Sequence, residues 1–210
     1  MIIIELNAES GHFSTDQIRS VAGALEQDKV IVYPTDTLYG LGVNAVSEIA
    51  VARLYALKER ENAPVSVLLE SVDHLMEIAI DLSERAKDLI KNFLPGALTI
   101  ICRTEYHFAK PLFSEKKTIG FRVPGDTISR EIPRLLGHPI TTTSVNPAGR
   151  QPAGSRAQVE AYYPSGVDLM IDVGRIPSSK GSTVIDVSCE PFKLLREGEI
   201  SRQALKDFLN

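Results

Sequence analysis

The sequence predicts an α/β protein. Short apolar segments rich in β-branched residues alternate along the chain with segments whose apolar residues recur at helical spacing. Hydrophobic residues make up 43% of the chain and charged residues 24%, which is an ordinary globular composition. The 210 residues could form one large domain or two small ones, and we favour a single domain over residues 1–210. Spacing alone leaves the order and direction of the strands open.

Charge and cysteine content exclude several classes of protein. The net charge of −4 means that any nucleic-acid binding would need a local basic patch. Cys102 and Cys189 are far apart and have no histidine nearby at ligand spacing, so neither a zinc site nor a disulfide framework is predicted. No segment approaches the ~20 apolar residues of a membrane helix. Met1–Leu6 also lacks the basic region of a signal peptide, so we expect a cytoplasmic protein without membrane contact.

Four elements are expected in the first quarter of the chain. Ile2–Leu6 is typical of a short strand, and Ser14 with Gln17 three residues later forms a capping-box pattern that opens a helix. Val30–Tyr33 predicts a buried strand, and Ser47–Leu57 predicts a second helix whose first residue is its N-cap.

The buried strand Val30–Tyr33 ends abruptly in polar residues. Pro34 lacks a backbone N–H and holds the preceding residue extended, so the strand should stop there and a loop should follow. Thr35–Thr37 then offers two hydroxyls and a carboxylate, while Gly40 and Gly42 permit close approaches that side chains would block. This pattern suits the binding of a small polar substrate. The alternative is a surface turn whose Thr and Asp cap the next helix.

The middle of the chain continues the alternation. We predict a strand at Pro64–Leu69, a helix at Ser83–Phe93 and a strand at Ala97–Cys102. Arg103–Lys117 has weak periodicity and is interpreted as a loop with a short helix, and Thr118–Gly125 is the next strand.

A single arginine lies inside that last strand. Because side chains alternate along a strand, Arg122 must face away from its apolar neighbours Phe121 and Val123. It therefore either makes a salt bridge on a solvent-facing surface or reaches an anion in a cleft.

The last elements follow the same rules, and the final helix is preceded by a turn at Glu197–Glu199. The predicted elements are a helix at Thr127–Leu136, strands at Pro139–Pro147, Asp168–Val173, Ser182–Val187 and Lys193–Arg196, and a helix at Ser201–Leu209.

One interval near the third quarter lacks acidic residues. Between Pro133 and Val159 there is no Asp or Glu, while Arg134, Arg150 and Arg156 occur. A phosphate-binding loop needs such an interval because carboxylates would repel the anion. A flexible polar loop explains the same composition.

Familiar nucleotide-binding and catalytic fingerprints fail. The chain has no Walker motif, no third glycine of a dinucleotide turn, and no Gly-x-Ser-x-Gly or His-Glu-x-x-His motif. Lys58 and Arg60 follow the C-terminal end of the helix at Ser47–Leu57, where cations suit the helix dipole. Capping of that helix is therefore one interpretation of these two side chains. What remains is a constellation of hydroxyls and cations at element ends: Thr35, Thr142, Ser144 and Ser182, with Lys58, Arg60, Arg122 and Arg196.

Seven short motifs occur in a fixed order along the chain. They are Tyr33–Leu41, Lys58-x-Arg60 followed by Pro64, Pro95–Thr99, Arg122–Pro124, Thr143–Asn146, Ser182–Asp186 and Arg196-x-Gly198. Together, from Val30 to Ile200, they closely resemble the YrdC-like family. The enzymes of this family are threonylcarbamoyl-AMP synthases.

The resemblance implies a single twisted α/β domain whose mostly mixed sheet is flanked by helices and carries a concave, basic cleft. It implies a reaction in which L-threonine, bicarbonate and ATP give threonylcarbamoyl-adenylate and diphosphate. Mg²⁺ would accompany the ATP, with no protein ligand assigned to it. Downstream threonylcarbamoyl-transferase proteins would pass the group to an adenosine of tRNA, and contact with RNA or tRNA is possible.

The resemblance also assigns residues. Thr35, Arg122, Thr142 and Ser182 would contact threonine, with Arg122 as the partner of its carboxylate. No protein nucleophile is expected, and Lys58 and Arg60 would act electrostatically. The residues that would hold ATP are Lys58, Arg60, Thr118, Ser144, Asn146 and Arg196.

The sequence departs from the family pattern at Glu61, Leu68, Val145 and Ala148, and we expect it to lack the C-terminal domain of longer members. Two alternatives stay open at this stage. One is a non-catalytic, ribosome-associated or RNA-binding module that uses the same cleft. The other is an adenylate-forming enzyme with a different substrate.

Overall fold

Eleven strands join into one mixed sheet in the computed structural model, which describes residues 1–6, 13–59 and 64–209. The strands are β1 (Ile2–Glu5), β2 (Ile31–Tyr33), β3 (Gly40–Gly42), β4 (Ser66–Leu68), β5 (Ala79–Ile80), β6 (Leu98–Thr104), β7 (Thr118–Arg122), β8 (Ile140–Ser144), β9 (Leu169–Asp172), β10 (Thr183–Asp186) and β11 (Lys193–Arg196). The helices are α1 (Thr15–Glu26), α2 (Glu48–Leu57), α3 (Val72–Ile78), α4 (Glu84–Phe93), α5 (Thr127–Leu136), α6 (Arg156–Tyr162) and α7 (Lys206–Leu209), with a 3₁₀ turn at Lys110–Leu112.

The strand order is β1-β9-β2-β3-β8-β4-β7-β6-β10-β11, and β5 pairs with β6. The pairs β1 with β9, β9 with β2, β4 with β7 and β6 with β10 are parallel, and the others are antiparallel. This arrangement confirms the predicted α/β fold with a mixed sheet flanked by helices. None of the helices among the described residues is long and apolar enough to cross a membrane.

Strand β2 is buried on both faces, which explains its unbroken apolar run. Ile31 and Tyr33 belong to an apolar cluster shared with α1 and α5, whereas Val32 belongs to a larger cluster that includes residues of α2 and α4. Alternation along the strand thus assigns successive side chains to two different cores.

The helix starts follow the capping rules. Ser14 and Gln17 form the predicted capping box, with the Gln17 N–H donating to Ser14 Oγ at 3.3 Å and the Ser14 N–H donating to Gln17 Oε1 at 2.8 Å. Ser47 and Ser83 cap α2 and α4 through their hydroxyl oxygens. The predicted bounds of α5 are confirmed, and it ends at Gly137, whose φ of 75° is the left-handed conformation that favours glycine.

One prediction near the site is wrong: the segment Gly40–Gly42 forms strand β3 instead of a loop. The buried ring of Tyr33 lies against both glycines, and a Cβ added at Gly42 would lie 2.6 Å from Tyr33 Cε1. These glycines therefore serve close packing within the sheet, between β2 and β8.

Smaller differences concern elements with weak sequence signals. Helices α3 and α6 and strand β5 were not expected, and the final helix begins at Lys206 instead of Ser201. Arg103–Lys117 does contain a short helical turn, as predicted.

Candidate active site

A cleft of about 530 Å³ opens on one face of the sheet. Three cations, Arg122, Lys180 and Arg196, line it, and no carboxylate is among its lining residues in the described part of the chain. The other polar lining residues are Thr35, Thr37, Ser66, Thr99, Thr142, Thr143, Ser144, Gln151, Ser179 and Ser182. Such a lining suits a small, anionic and polar ligand.

The turn between β2 and β3 forms one wall. Thr35 Oγ1 accepts hydrogen bonds from the N–H groups of Thr37 at 3.2 Å and Leu38 at 3.1 Å, and it donates to the Leu38 carbonyl at 2.7 Å. The Thr35 hydroxyl therefore organises the turn while it faces the cleft.

Arg122 projects into the cleft from β7 and is almost fully buried. Its Nη2 donates to Asp36 Oδ1 and, at 2.8 Å, to Thr37 Oγ1. Its Nε and Nη1 have no hydrogen-bond partner among the described residues, and Nε is fully buried. The structure thus favours the cleft over the surface salt bridge as the environment of this strand arginine.

Asp36 fixes the position of the Arg122 side chain. One carboxylate oxygen accepts from Arg122, and the other accepts from the Gly125 N–H at 2.8 Å. The side chains of Arg122 and Asp36 are 8% and 18% exposed. Because both oxygens are occupied, this carboxylate positions the guanidinium group, and it does not cap the following helix.

The opposite wall is built around Ser182. The hydroxyls of Ser182 and Thr99 are 2.8 Å apart, and Arg196 donates to the Ser182 carbonyl from Nε at 3.1 Å and from Nη2 at 2.8 Å. Partial burial and the positive charge of Arg122 lower the pKa of Arg196. An anion bound between the two guanidinium groups would relieve this repulsion.

Three of the predicted nucleotide ligands form one connected cluster. Lys58 is buried at the end of α2, and its Nζ donates to the Ser144 carbonyl at 2.5 Å. Ser144 Oγ donates to Asn146 Oδ1 at 2.5 Å, and Asn146 Nδ2 donates to the carbonyls of Pro147 and Arg150. Of these three, Ser144 lines the cleft directly.

One further predicted ligand of the nucleotide is not brought to the cleft. Thr118 lies at the start of β7, where its Oγ1 is 2.7 Å from Ser114 Oγ, and it is not part of the lining. Arg60 lies outside the described residues, as does the departure at Glu61. Thr142, by contrast, lines the cleft from β8.

The arginines of the acid-free interval do not line the cleft. Arg150 lies over the ring of Tyr162 at 5.9 Å, and Arg156 pairs with Glu160 at 2.8 Å. Of the interval beyond β8, Gln151 and Pro152 line the cleft. The phosphate-binding interpretation of this interval therefore does not extend to its arginines.

Several lining residues were not assigned a ligand from the sequence. Thr37 was expected among the polar residues after β2 and Thr99 belongs to one of the family motifs, but only the fold reveals their partners. Lys180 and Leu195 carry no local signal, although Leu195 offers the cleft an exposed apolar side chain.

The loop that carries Ser179 and Lys180 is tied down by Glu199. Glu199 Oε1 accepts from Ser179 Oγ at 2.7 Å and from the Lys180 N–H at 2.8 Å, and these hydrogen bonds lower the pKa of Glu199. A Cβ at Gly198 would overlap the backbone of Gly181 and Ser182, so only glycine allows this approach. Among the described residues, no group of three or more His, Cys, Asp or Glu side chains gathers as a metal site.

The sequence comparisons agree on one family. A family model described as Sua5_yciO_yrdC, telomere recombination, matches residues 23–198. A putative threonylcarbamoyl-AMP synthase of Methanocaldococcus jannaschii is 35% identical over 178 residues, which cover 84% of this chain and 83% of the relative. The threonylcarbamoyl-AMP synthase of Pyrococcus abyssi is 30% identical over 191 residues, which cover 90% of this chain and 56% of the relative.

Solved structures show the same fold. P. abyssi Sua5 complexed with L-threonine superposes with a TM-score of 0.90 at 29% identity, covering 100% of this chain and 61% of that one. Escherichia coli YciO superposes with a TM-score of 0.85 at 26% identity and covers 99% of this chain and 98% of its own. The chain thus spans less than two thirds of P. abyssi Sua5 and nearly all of YciO.

Proposed function

Because the chain belongs to the Sua5/YciO/YrdC family, we propose that it is a threonylcarbamoyl-AMP synthase, a nucleotidyltransferase that uses L-threonine, bicarbonate and ATP. The observation that carries the proposal is the buried Arg122: among the described residues its Nη1 has no hydrogen-bond partner, and none of those that line the cleft is a carboxylate. Support comes from the related P. abyssi protein, whose structure was determined with L-threonine bound.

Threonine fits the wall that Arg122 and Ser182 form. Its carboxylate would accept from Nη1 of Arg122, which has no hydrogen-bond partner among the described residues, and this is a strong, charge-assisted interaction. The hydroxyls of Thr35, Thr142 and Ser182 lie around the same volume and would orient the amine and the side-chain hydroxyl. Asp36 would keep the arginine in place without a contact to the substrate.

ATP would lie along the rest of the cleft. Arg196 and Ser144 line it, and Lys58 and Asn146 hold Ser144 from behind. Arg60 is assigned to ATP by the family resemblance, as is Thr118, although Thr118 lies beyond the lining and would need a ligand that extends along β7. Lys180 is a further cation for the phosphates.

The chemistry that we propose relies on positioning and charge neutralisation. The threonine amine attacks the carbon of bicarbonate or of an activated form of it, and loss of the elements of water gives a carbamate. A carbamate oxygen then attacks the α-phosphorus of ATP, and the bond to the diphosphate leaving group breaks. Preplaced cations stabilise the negative charge that develops on the phosphates. No side chain needs to form a covalent bond.

Mg²⁺ would reach the site with ATP. In the part of the chain that the structure describes, the lining has hydroxyls and cations but no carboxylate, so its side chains suit a phosphate-bound ion better than a protein-held one. When bound, the ion would neutralise phosphate charge and orient the leaving diphosphate.

The direct test is incubation of the protein with ATP, Mg²⁺, bicarbonate and threonine, followed by mass spectrometry for the adenylate and assay of diphosphate. We expect both products, and loss of diphosphate release in Lys58→Ala and in Arg60→Ala, with Lys91→Ala as a surface control. Normal turnover in either site variant would reject its assignment. Replacing threonine by other amino acids in the same assay would expose a different substrate.

Absence of the adenylate under all conditions, together with salt-dependent RNA binding, would instead favour the non-catalytic module. The transfer of the product to tRNA by downstream proteins and the cytoplasmic location stay predictions.

A further inference from the structure

A second cavity, of about 720 Å³, lies beyond the cleft and has no role in the proposed reaction. We name it the distal groove. It is lined chiefly by Arg103, Tyr106, Lys110, Phe113, Lys116 and Lys117.

The distal groove continues the sheet face that carries the cleft. Ile101 lines the cleft, and Arg103 lies two residues further along β6, on the same face and about 7 Å away. On β7, Gly120 lines the cleft, and Thr118 pairs with Arg103 in the register. A chain-like ligand in the groove would therefore run toward the cleft without filling it.

The distal groove carries several positive charges, although the net charge of the whole chain is negative. Arg103 pairs with Asp81 at 3.3 Å on the surface, whereas Lys110, Lys116 and Lys117 form no ion pair with any carboxylate of the described residues. Glu105 is the one carboxylate among its described lining residues. Four cations thus gather in a protein whose net charge is −4, so this is a local basic patch.

Two aromatic rings form part of the groove and are held from behind. Tyr106 and Phe113 are half-buried, and both contact the buried ring of Phe108, with centroid distances of 4.9 and 6.4 Å. Rings fixed in this way can stack on planar ligands at little further cost in side-chain entropy.

The lysines are presented by a tight turn. Ser114 Oγ accepts from the N–H groups of Lys116 at 3.2 Å and Thr118 at 3.1 Å, and the Lys117 N–H donates to the Ser114 carbonyl. Lys117 has a φ of 57°, a conformation that glycine adopts more easily. The chain therefore carries a cation at the position of this turn where glycine would relieve the backbone.

We propose that the distal groove binds single-stranded RNA, with phosphates on the lysines and bases stacked on Tyr106 and Phe113. The phosphates of RNA match the cations of the groove, and its planar bases match the two aromatic rings. An acidic peptide would pair with the cations but gain little from the rings. This surface is separate from the cleft, so its RNA binding does not depend on the proposed reaction.

The test is fluorescence anisotropy of a labelled, mixed-sequence RNA of 12 nucleotides titrated with the full chain at several salt concentrations. Four phosphate contacts predict a slope of log affinity against log salt of about −3, since each contact on a single strand contributes about −0.7. The double variant Lys116→Gln/Lys117→Gly should flatten the slope by about 1.4 and weaken binding at least tenfold at low salt. Lys117→Gly relieves a positive φ, so the fold should be retained.

The matched control is Lys91→Gln/Lys206→Gln, which removes two exposed lysines outside the groove. Binding should survive in this control and in the presence of excess ATP and threonine, and the groove variant should form adenylate at the wild-type rate. Tyr106→Leu should weaken binding about tenfold with an unchanged salt slope.

Four outcomes would overturn the proposal. These are equal loss of binding in the control pair, undiminished binding in the groove variant, displacement of RNA by ATP and threonine, and competition by a poly-glutamate peptide that is as effective as unlabelled RNA. The last result would assign the groove to an acidic protein partner.

Discussion

Replacing Asp36 by Asn should weaken threonine binding through Arg122. Asp36 holds Arg122 with one oxygen and the Gly125 N–H with the other, and asparagine can keep only one of these bonds as an acceptor. The guanidinium group would lose its neutralising partner while Arg196 continues to repel it. We therefore expect both lower stability and poorer orientation of the arginine.

The magnitude follows from the burial of the pair. Removing one partner of a buried ion pair costs about 3–5 kcal/mol. Here the Asp36 side chain is 18% exposed beside an open cleft, and Asn still offers Arg122 an oxygen. We therefore expect the free energy of unfolding to fall by about 2 kcal/mol. If about 1.4–2 kcal/mol of this appears in substrate binding, the KM for threonine rises roughly 10- to 30-fold. The KM for ATP should stay unchanged.

The assay combines urea unfolding with initial rates of diphosphate release at varied threonine. Asp16→Asn is the control, because Asp16 pairs with Arg19 at 3.3 Å with both side chains exposed, and it should change stability by less than about 0.5 kcal/mol. A lower KM for threonine in Asp36→Asn would refute the reasoning. It would mean that the carboxylate only diminishes the charge of Arg122 and does not position it.

Three other perturbations test separate parts of the structure. Gly42→Ala should lower stability by about 1–3 kcal/mol in urea unfolding, because the new Cβ would lie 2.6 Å from the buried Tyr33 ring. Burial raises the pKa of Cys102 to about 12, so iodoacetamide at pH 8 should leave it unmodified in the native protein, as read by mass spectrometry. The pKa of Glu199 is lowered in the folded protein, so its hydrogen bonds to the cleft loop contribute fully at a pH above the ordinary pKa of a glutamate. This contribution is lost as the pH falls through the lowered pKa of the folded state. Hydrogen-exchange protection of the Lys180 amide should therefore decrease below about pH 4.

Each of these has a matched control. Gly23→Ala, where nothing lies within 4 Å of the added Cβ, should stabilise α1 by about 0.5–1 kcal/mol, and equal effects of the two alanines would contradict the packing argument. Cys189 is half-buried and should be alkylated first, while labelling of Cys102 at the same rate would show that it is accessible. In Glu199→Gln the pH dependence at the Lys180 amide should vanish, and its persistence would point to another group.

Local patterns were sufficient for most elements. Ser14 with Gln17, Ser47 and Ser83 predicted three helix starts correctly, because an N-cap is decided by residues within one turn of each other. Strand β11 was also predicted correctly at Lys193–Arg196. Gly40–Gly42 was missed as a strand because its stability comes from Tyr33 and from β8, which are not visible in the segment itself.

For the site, the sequence indicated the residue types but not their partners. Alternation correctly predicted that Arg122 faces away from Phe121, yet it left open whether the side chain lies on the surface or in a cleft. The same limitation explains Thr118, which shares the cleft face of β7 but lies beyond the cleft and bonds to Ser114.

The sequence by itself determined the α/β class, the order of most elements and the family to which the chain belongs, because these depend on periodicity, caps and short motifs. Only the tertiary structure decided the strand order and the pairings that make the site. Asp36 meets Arg122 across 86 positions, and Thr99 meets Ser182 across 83. Such contacts depend on which strands become neighbours in the sheet, and no local period of the sequence encodes that choice.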